Sequence, residues 1–118
     1  LHDQMITVFE DAKFDFAKFS EIPFEEKERP MAEDMLMFLV DEGSVVKVAE
    51  DLYTRKHFME EAREIVEGML REREIITIAE LRDALNTSRK SAKPIMEYMD
   101  SIKVTKRNGT ESERVAYV

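Results

Sequence analysis

The run Asn86-Thr87-Ser88-Arg89-Lys90-Ser91-Ala92-Lys93-Pro94-Ile95-Met96-Glu97-Tyr98-Met99-Asp100 decides how the rest of the chain is read. Asn86-Thr87 has the chemistry of a turn. Thr87 or Ser88 can then cap a helix, because a hydroxyl there accepts from an amide that the helix leaves open. Ala92, Ile95, Met96, Met99 and Ile102 recur at helical spacing and give that helix one apolar face. Pro94 lies well inside it, lacks an amide and crowds the carbonyl of Lys90, so a kink is expected. Ser88, Arg89 and Lys90 fall in the first turn, at the end of a helix that carries partial positive charge. Cations are unfavourable for the helix itself at that end, so their placement favours contact with an anion over a solvated turn. Lys93, one turn further on, extends the same surface.

Upstream, Thr77-Ile78-Ala79-Glu80 has the spacing of a capping box. It opens a short helix, Ile78 to Leu85, with Leu81, Ala84 and Leu85 inward. Before it, Ile75-Ile76 reads as a brief strand. His57 to Glu72 reads as a longer helix with Phe58, Ala62, Ile65, Val66, Met69 and Leu70 on its apolar side. Downstream, Val104 to Arg107 is a strand, Asn108-Gly109 a tight turn, and Arg114 to Tyr117 the returning strand. Helix, short helix, turn, third helix and β-hairpin is the order of a winged helix. Lys106, Arg107 and Arg114 flank the turn of the wing. They fit either a second contact surface or the charge that keeps edge strands from aggregating. Tyr98 reads as a half-buried core residue rather than a platform for a base.

The first half repeats part of this plan. Pro30 opens a helix, Met31, Met35, Phe38 and Leu39 fall at helical spacing, and Gly43 ends it. Val45, Val46 and Val48 make a strand, Ala49-Glu50-Asp51 a turn, and Leu52-Tyr53-Thr54 the return. The repeat comes at about 60 residues and implies two related small modules. Residues 1–30 have no clear period: Met5, Val8, Phe9 and Ala12 suit one helical face, and Phe14, Phe16 and Phe19 suit a local core. The expected fold is mainly α with short β-hairpins (α+β), as tandem winged-helix domains. The first spans residues 1–55, with a truncated or divergent start, and the second spans residues 56–118.

Composition narrows the function. The 118 residues contain no cysteine, so no disulfide framework or thiolate metal site is possible, in keeping with a reducing cytoplasm. No apolar run approaches the roughly 18 residues of a membrane span, and no signal peptide is visible. The chain opens on Leu1 rather than Met and is expected to be a fragment. Its net charge of −8 is unevenly placed. Residues 1–56 hold 14 acids and 7 bases, residues 57–118 hold 12 and 11, and residues 86–118 hold 4 and 7. Phosphate contacts by Lys and Arg supply most non-specific affinity for nucleic acid, so any such site belongs at the C-terminal end. His2 and His57 have no ligand-type partner nearby, so no metal site is expected. A Gly-rich phosphate loop and a nucleophile motif are both absent. The reading is of a binding module rather than an enzyme.

Thr87-Ser88-Arg89-Lys90-x-Ala92-x-Pro94-Ile95-x-Glu97-Tyr98-x-Asp100, followed by Val104-Thr105-Lys106-Arg107-x-Gly109, resembles the last winged helix of the bacterial selenocysteine-specific elongation factors, the SelB family. Leu39-Val40-x-Glu42-Gly43-x-Val45-Val46-Lys47-Val48-x-Glu50-Asp51-Leu52-Tyr53 is similar to the close of the preceding winged helix. The resemblance covers residues 31–118. It implies a role in translation: such factors carry selenocysteinyl-tRNA to the ribosome with an N-terminal GTPase that this chain lacks. GTP and magnesium are therefore expected only in that absent part, with no cofactor in this one. The C-terminal winged helices of the family bind a messenger RNA stem-loop, the SECIS element, beside a recoded UGA codon. By motif, Ser88, Arg89, Lys90, Lys93, Lys106, Arg107 and Arg114 are the expected RNA contacts. Because a helix does not fit the deep, narrow major groove of A-form RNA, the expected target is a hairpin loop with a bulged base. Ser91 stands where relatives often carry Tyr, which implies a different contact or packing there. The acidic first half then suits a spacer. The alternatives are a DNA-binding transcription regulator, whose third helix would enter a major groove, and a winged-helix protein-interaction module.

Overall fold

The computed structural model describes residues 1–118, which divide into two compact units, Leu1–Phe58 and Met59–Val118. The division falls within the first turn of a helix, just past the boundary expected after residue 55.

The N-terminal unit runs α1 (His2–Ala12), β1 (Ala17–Lys18), two 3-10 turns (Phe19–Glu21 and Glu26–Glu28), α2 (Arg29–Asp41), β2 (Val45–Ala49) and β3 (Leu52–Arg55). Its sheet has the order β1-β3-β2, antiparallel throughout. The second unit is built on α3 (Lys56–Glu72), β4 (Ile76–Thr77), α4 (Ile78–Leu85), α5 (Arg89–Ser101), β5 (Thr105–Asn108) and β6 (Thr110–Ala116). Its sheet order, β4-β6-β5, is the same pattern one module later. Both are winged helices. The start of the first, expected to be truncated or divergent, supplies a helix and the first strand. Between β1 and α2, where the second unit has α4 as its second helix, this unit has two 3-10 turns.

Those turns carry Phe19, Ile22 and Phe24 into a core with Met5, Phe9, Ala32, Leu36, Leu39 and Val45. Arg29 holds them there: it donates to the carbonyls of Phe19 at 3.3 Å and Ile22 at 2.8 Å, and its guanidinium lies over both phenyl rings. Such a segment has no helical period, because its apolar residues follow the turns. α2 closes at Gly43, whose φ of +86° suits a residue without Cβ, while the Ser44 amide reaches back to Leu39 O at 3.1 Å. The buried face of α2 differs from the expected one. Ala32, Leu36 and Leu39 point inward, whereas Met31 (62% exposed), Met37 (64%) and Phe38 (59%) face outward.

In the second unit Thr77 and Glu80 form the expected capping box, each side chain accepting from the other's amide at 3.1 and 2.9 Å. α5 runs on past Pro94 to Ser101, and buries Ala92, Ile95, Met96 and Met99. Ala84 and Ile102, expected inward, are exposed: α5 ends before Ile102, so the helical phase no longer carries it to the core.

Arg114, expected to contact RNA from the wing, is instead the largest fully buried side chain, at 0% exposure. Its Nε donates to both carboxylate oxygens of Asp100 at 3.0 Å, and its Nη1 donates to the carbonyls of Glu111 and Glu113. Thr105 donates its hydroxyl to the same carboxylate at 2.6 Å. The arginine therefore fastens β6 to the end of α5.

These placements yield two expectations. Leu36→Ala should destabilise the N-terminal unit by about 2–5 kcal/mol, and Phe38→Ala by less than about 0.5 kcal/mol, in urea titrations. Equal losses would contradict the assigned face of α2. Asp100→Ala should cost about 3–5 kcal/mol, because it strands a buried cation. Arg114→Met should cost less, since the carboxylate it leaves is 26% exposed and reaches water. The reverse ranking would refute the burial argument.

Candidate nucleic-acid interface

The turn between α4 and α5 is set by Asn86, which adopts a left-handed conformation (φ 54°, ψ 49°) that asparagine tolerates better than most residues. The Asn86 amide donates to Asp83 O at 3.2 Å and the Thr87 amide to Arg82 O at 3.0 Å, which closes α4. Ser88 follows in extended conformation as the N-cap of α5. Its hydroxyl makes no capping bond to its own helix, unlike that of Thr77. Ser88, Arg89 and Lys90 are all exposed, and no acid stands in the first turn of α5 to offset the two cations. Ser91 is buried, so it is a packing position rather than a contact.

On the wing, Arg107 and Arg114 are paired directly across the strands. Partners of this kind share one face of the hairpin, and that face looks onto α5. There Glu97 and Asp100 stand one turn apart, and each arginine meets one of them: Arg107 lies 4.0 Å from Glu97, and Arg114 chelates Asp100. Two arginines side by side would repel, but each has its own carboxylate.

Lys93 of α5 reaches Glu111 of β6 at 2.5 Å. The Glu111 carboxyl is held below the usual carboxylate range, first by the hydrogen bond from Lys93, then by its charge, with smaller contributions from Arg107 and Arg89. A depressed carboxyl keeps its partner at neutral pH and loses it only as pH falls through the lowered value. Glu111 thus sits among Arg89, Lys93 and Arg107 as an internal counter-ion. The pairs are exposed and hence screened by salt.

Strand alternation turns Lys106 to the other face of the hairpin, away from α5, where it is exposed. Of the expected residues, Arg89, Lys93 and Arg107 therefore gather around Glu111 where α5 meets the wing, and Ser88 and Lys90 stand exposed in the first turn of α5. Lys106 lies on the outer face of the wing, and Arg114 lies beneath it in the core. Arg89, Lys90 and Lys106 form no ion pair. The carboxylates Glu97, Asp100 and Glu111 were missed as part of this surface. Their signal was the spacing of two acids one turn apart on a helix that precedes a hairpin with paired arginines.

The N-terminal unit presents different chemistry on its equivalent helix. Arg29 at the start of α2 is turned inward, and the outer surface shows Met31, Met37 and Phe38 beside the exposed acids Glu33 and Asp34. No group of three or more acidic, histidine or cysteine side chains gathers to hold a metal ion, and no helix is long and apolar enough to cross a membrane.

Comparison with known proteins bears on this geometry. Residues 69–112 match the family model for the winged helix of elongation factor SelB. Over 79 residues the chain is 32% identical to the selenocysteine-specific elongation factor of Desulfomicrobium baculatum, an overlap of 67% of this chain and 12% of that protein. The chain thus spans about an eighth of the length of that relative. The mRNA-binding domain of SelB from E. coli, solved in complex with SECIS RNA, superimposes with a TM-score of 0.68 at 21% identity, covering 98% of this chain and 99% of that one. A bacterial selenocysteine-specific elongation factor, EF-Sec, gives a TM-score of 0.71 at 14% identity over 98% of this chain and 18% of its own. Both structural likenesses carry the fold, and the family match covers the third helix and most of the wing. The chain carries a winged-helix domain of the elongation factor SelB family.

Proposed function

We propose that the second unit binds a hairpin in messenger RNA and holds a selenocysteine-specific elongation factor beside a recoded UGA codon. The observation that carries this reading is the exposed Ser88-Arg89-Lys90 turn at the N-terminus of α5, with two cations that form no ion pair and no acid in the same turn, in a chain of net charge −8. Backbone amides and side chains there suit phosphate oxygens. The wing offers Arg107 on the face toward α5 and Lys106 on its outer face. The E. coli relative described above binds SECIS RNA with the same fold, which supports the same ligand class here. A loop or bulge is the natural target, because its unstacked bases are accessible where a paired A-form groove is not. In this reading the chain is a non-catalytic module that works in the cytoplasm. GTP, magnesium and the contacts with selenocysteinyl-tRNA and the ribosome belong to the longer protein.

Glu111 has a part in this scheme. It neutralises Lys93 until a phosphate takes its place, so weak, non-specific RNA contacts meet a competitor. A hairpin that engages several cations at once outweighs it.

Selection from RNA hairpins randomised in loop and bulge, followed by titration against duplex DNA of the same sequence and an unstructured RNA, tests the proposal. The hairpin should bind best. Arg89→Ala should weaken it about tenfold and lower the slope of log K against log salt by about one. Equal binding of the DNA duplex would favour a transcription regulator, and no binding at low salt would leave a protein-interaction module. Glu111→Gln should raise affinity for unstructured RNA more than for the hairpin. An unchanged ratio would remove Glu111 from the account of selectivity.

A further inference from the structure

A cleft of about 390 Å³ opens at the base of the wing between α3 and the ends of the hairpin strands. Arg63, Glu67 and Arg71 line it from α3, Lys103 and Val104 from the turn before β5, and Tyr117 from the segment after β6. It is separate from the helix–wing surface. Four residues, Val104 to Arg107, lie between Lys103 and the Asn108-Gly109 tip, about 13 Å of extended chain.

The charges here are not balanced. Arg63 and Glu67 pair with each other at 3.4 Å, whereas Arg71 and Lys103 form no ion pair. Lys103 holds a φ of +64°, a left-handed conformation at the end of α5 that usually falls to glycine or asparagine. That conformation fixes where the lysine leaves the backbone. Tyr117 is 39% exposed yet anchored, since its amide donates to Val104 O at 3.2 Å across the base of the hairpin. An aromatic ring on a fixed backbone, beside two free cations and an apolar floor, offers one surface for a base and another for a phosphate. An acidic peptide would use the cations and leave the ring idle.

We propose that this cleft binds an unpaired nucleotide of the RNA strand flanking the hairpin, with its base on Tyr117 and its phosphate between Arg71 and Lys103. The inference rests on the hairpin reading above and extends the footprint to a second face of the same unit. The flanking strand is recognised for being single-stranded, because stacking on tyrosine accepts any base.

The test uses the full chain and the selected hairpin, bare or carrying a six-nucleotide oligouridine extension at either the 5′ or the 3′ end. One extension should tighten binding about five- to tenfold, the effect of a single base–aromatic stack. Tyr117→Ala and the double variant Arg71→Gln/Lys103→Gln should each abolish that gain while binding the bare hairpin as before, which also shows that they fold. A 4-thiouridine in the extension should photocross-link to the wild-type chain at Tyr117. No gain from either extension, a gain that persists in the variants, or cross-links confined to α5 and the wing tip would each overturn the proposal. So would competition for the cleft by oligoglutamate but not by oligouridine, which would mark an acidic peptide site. If no selected hairpin binds at all, the hairpin reading fails by itself. The cleft is then judged by whether oligouridine alone cross-links at Tyr117.

Discussion

Arg114 enters the core from the second strand of the wing and gives its Nε to both oxygens of Asp100 at 3.0 Å. A guanidinium is planar and permanently charged, so once buried it must keep its carboxylate and the geometry that presents it. Asp100 lies in the last turn of α5, and the bond therefore fixes the hairpin against the third helix. Thr105, from the opposite strand, donates to the same carboxylate and ties that strand to the same point. With the hairpin and helix held in this way, Lys93 comes within reach of Glu111, and Arg107 comes near Glu97. The charged surface is thus positioned by a charge that never reaches it.

The two units show how little a shared topology says about surface chemistry. Each pairs its first short strand with its last and sends a helix into a hairpin. In one, that helix opens on exposed cations with no acid in its first turn. In the other, the arginine at the same end is drawn inward onto two phenyl rings, and apolar and acidic side chains remain outside. Function follows these few side chains, and the fold supplies only their positions.

Much of the second unit was legible because local rules and the global fold agree there. The Thr77–Glu80 box, the Asn86 turn and the Asn108-Gly109 tip each act within a few residues, so a linear reading captures them. Residues 1–30 resisted because two 3-10 turns place Phe19, Ile22 and Phe24 in the core without any helical period. The face of α2 was misjudged because residues 35–40 are apolar without a break, which leaves periodicity little contrast. Arg114 was misplaced for a different reason. Its partner lies fourteen residues away on another element, and an arginine beside a turn looks the same in sequence whether it faces solvent or a buried carboxylate.

The outward methionines of α2 have a chemical consequence. Sulfur oxidation follows exposure, and Met31 and Met37 are open to solvent whereas Met5, Met96 and Met99 are sealed in the cores. An oxidant would therefore add oxygen first where no packing is disturbed, and the thioethers that seat α5 would be reached only after the second unit opens.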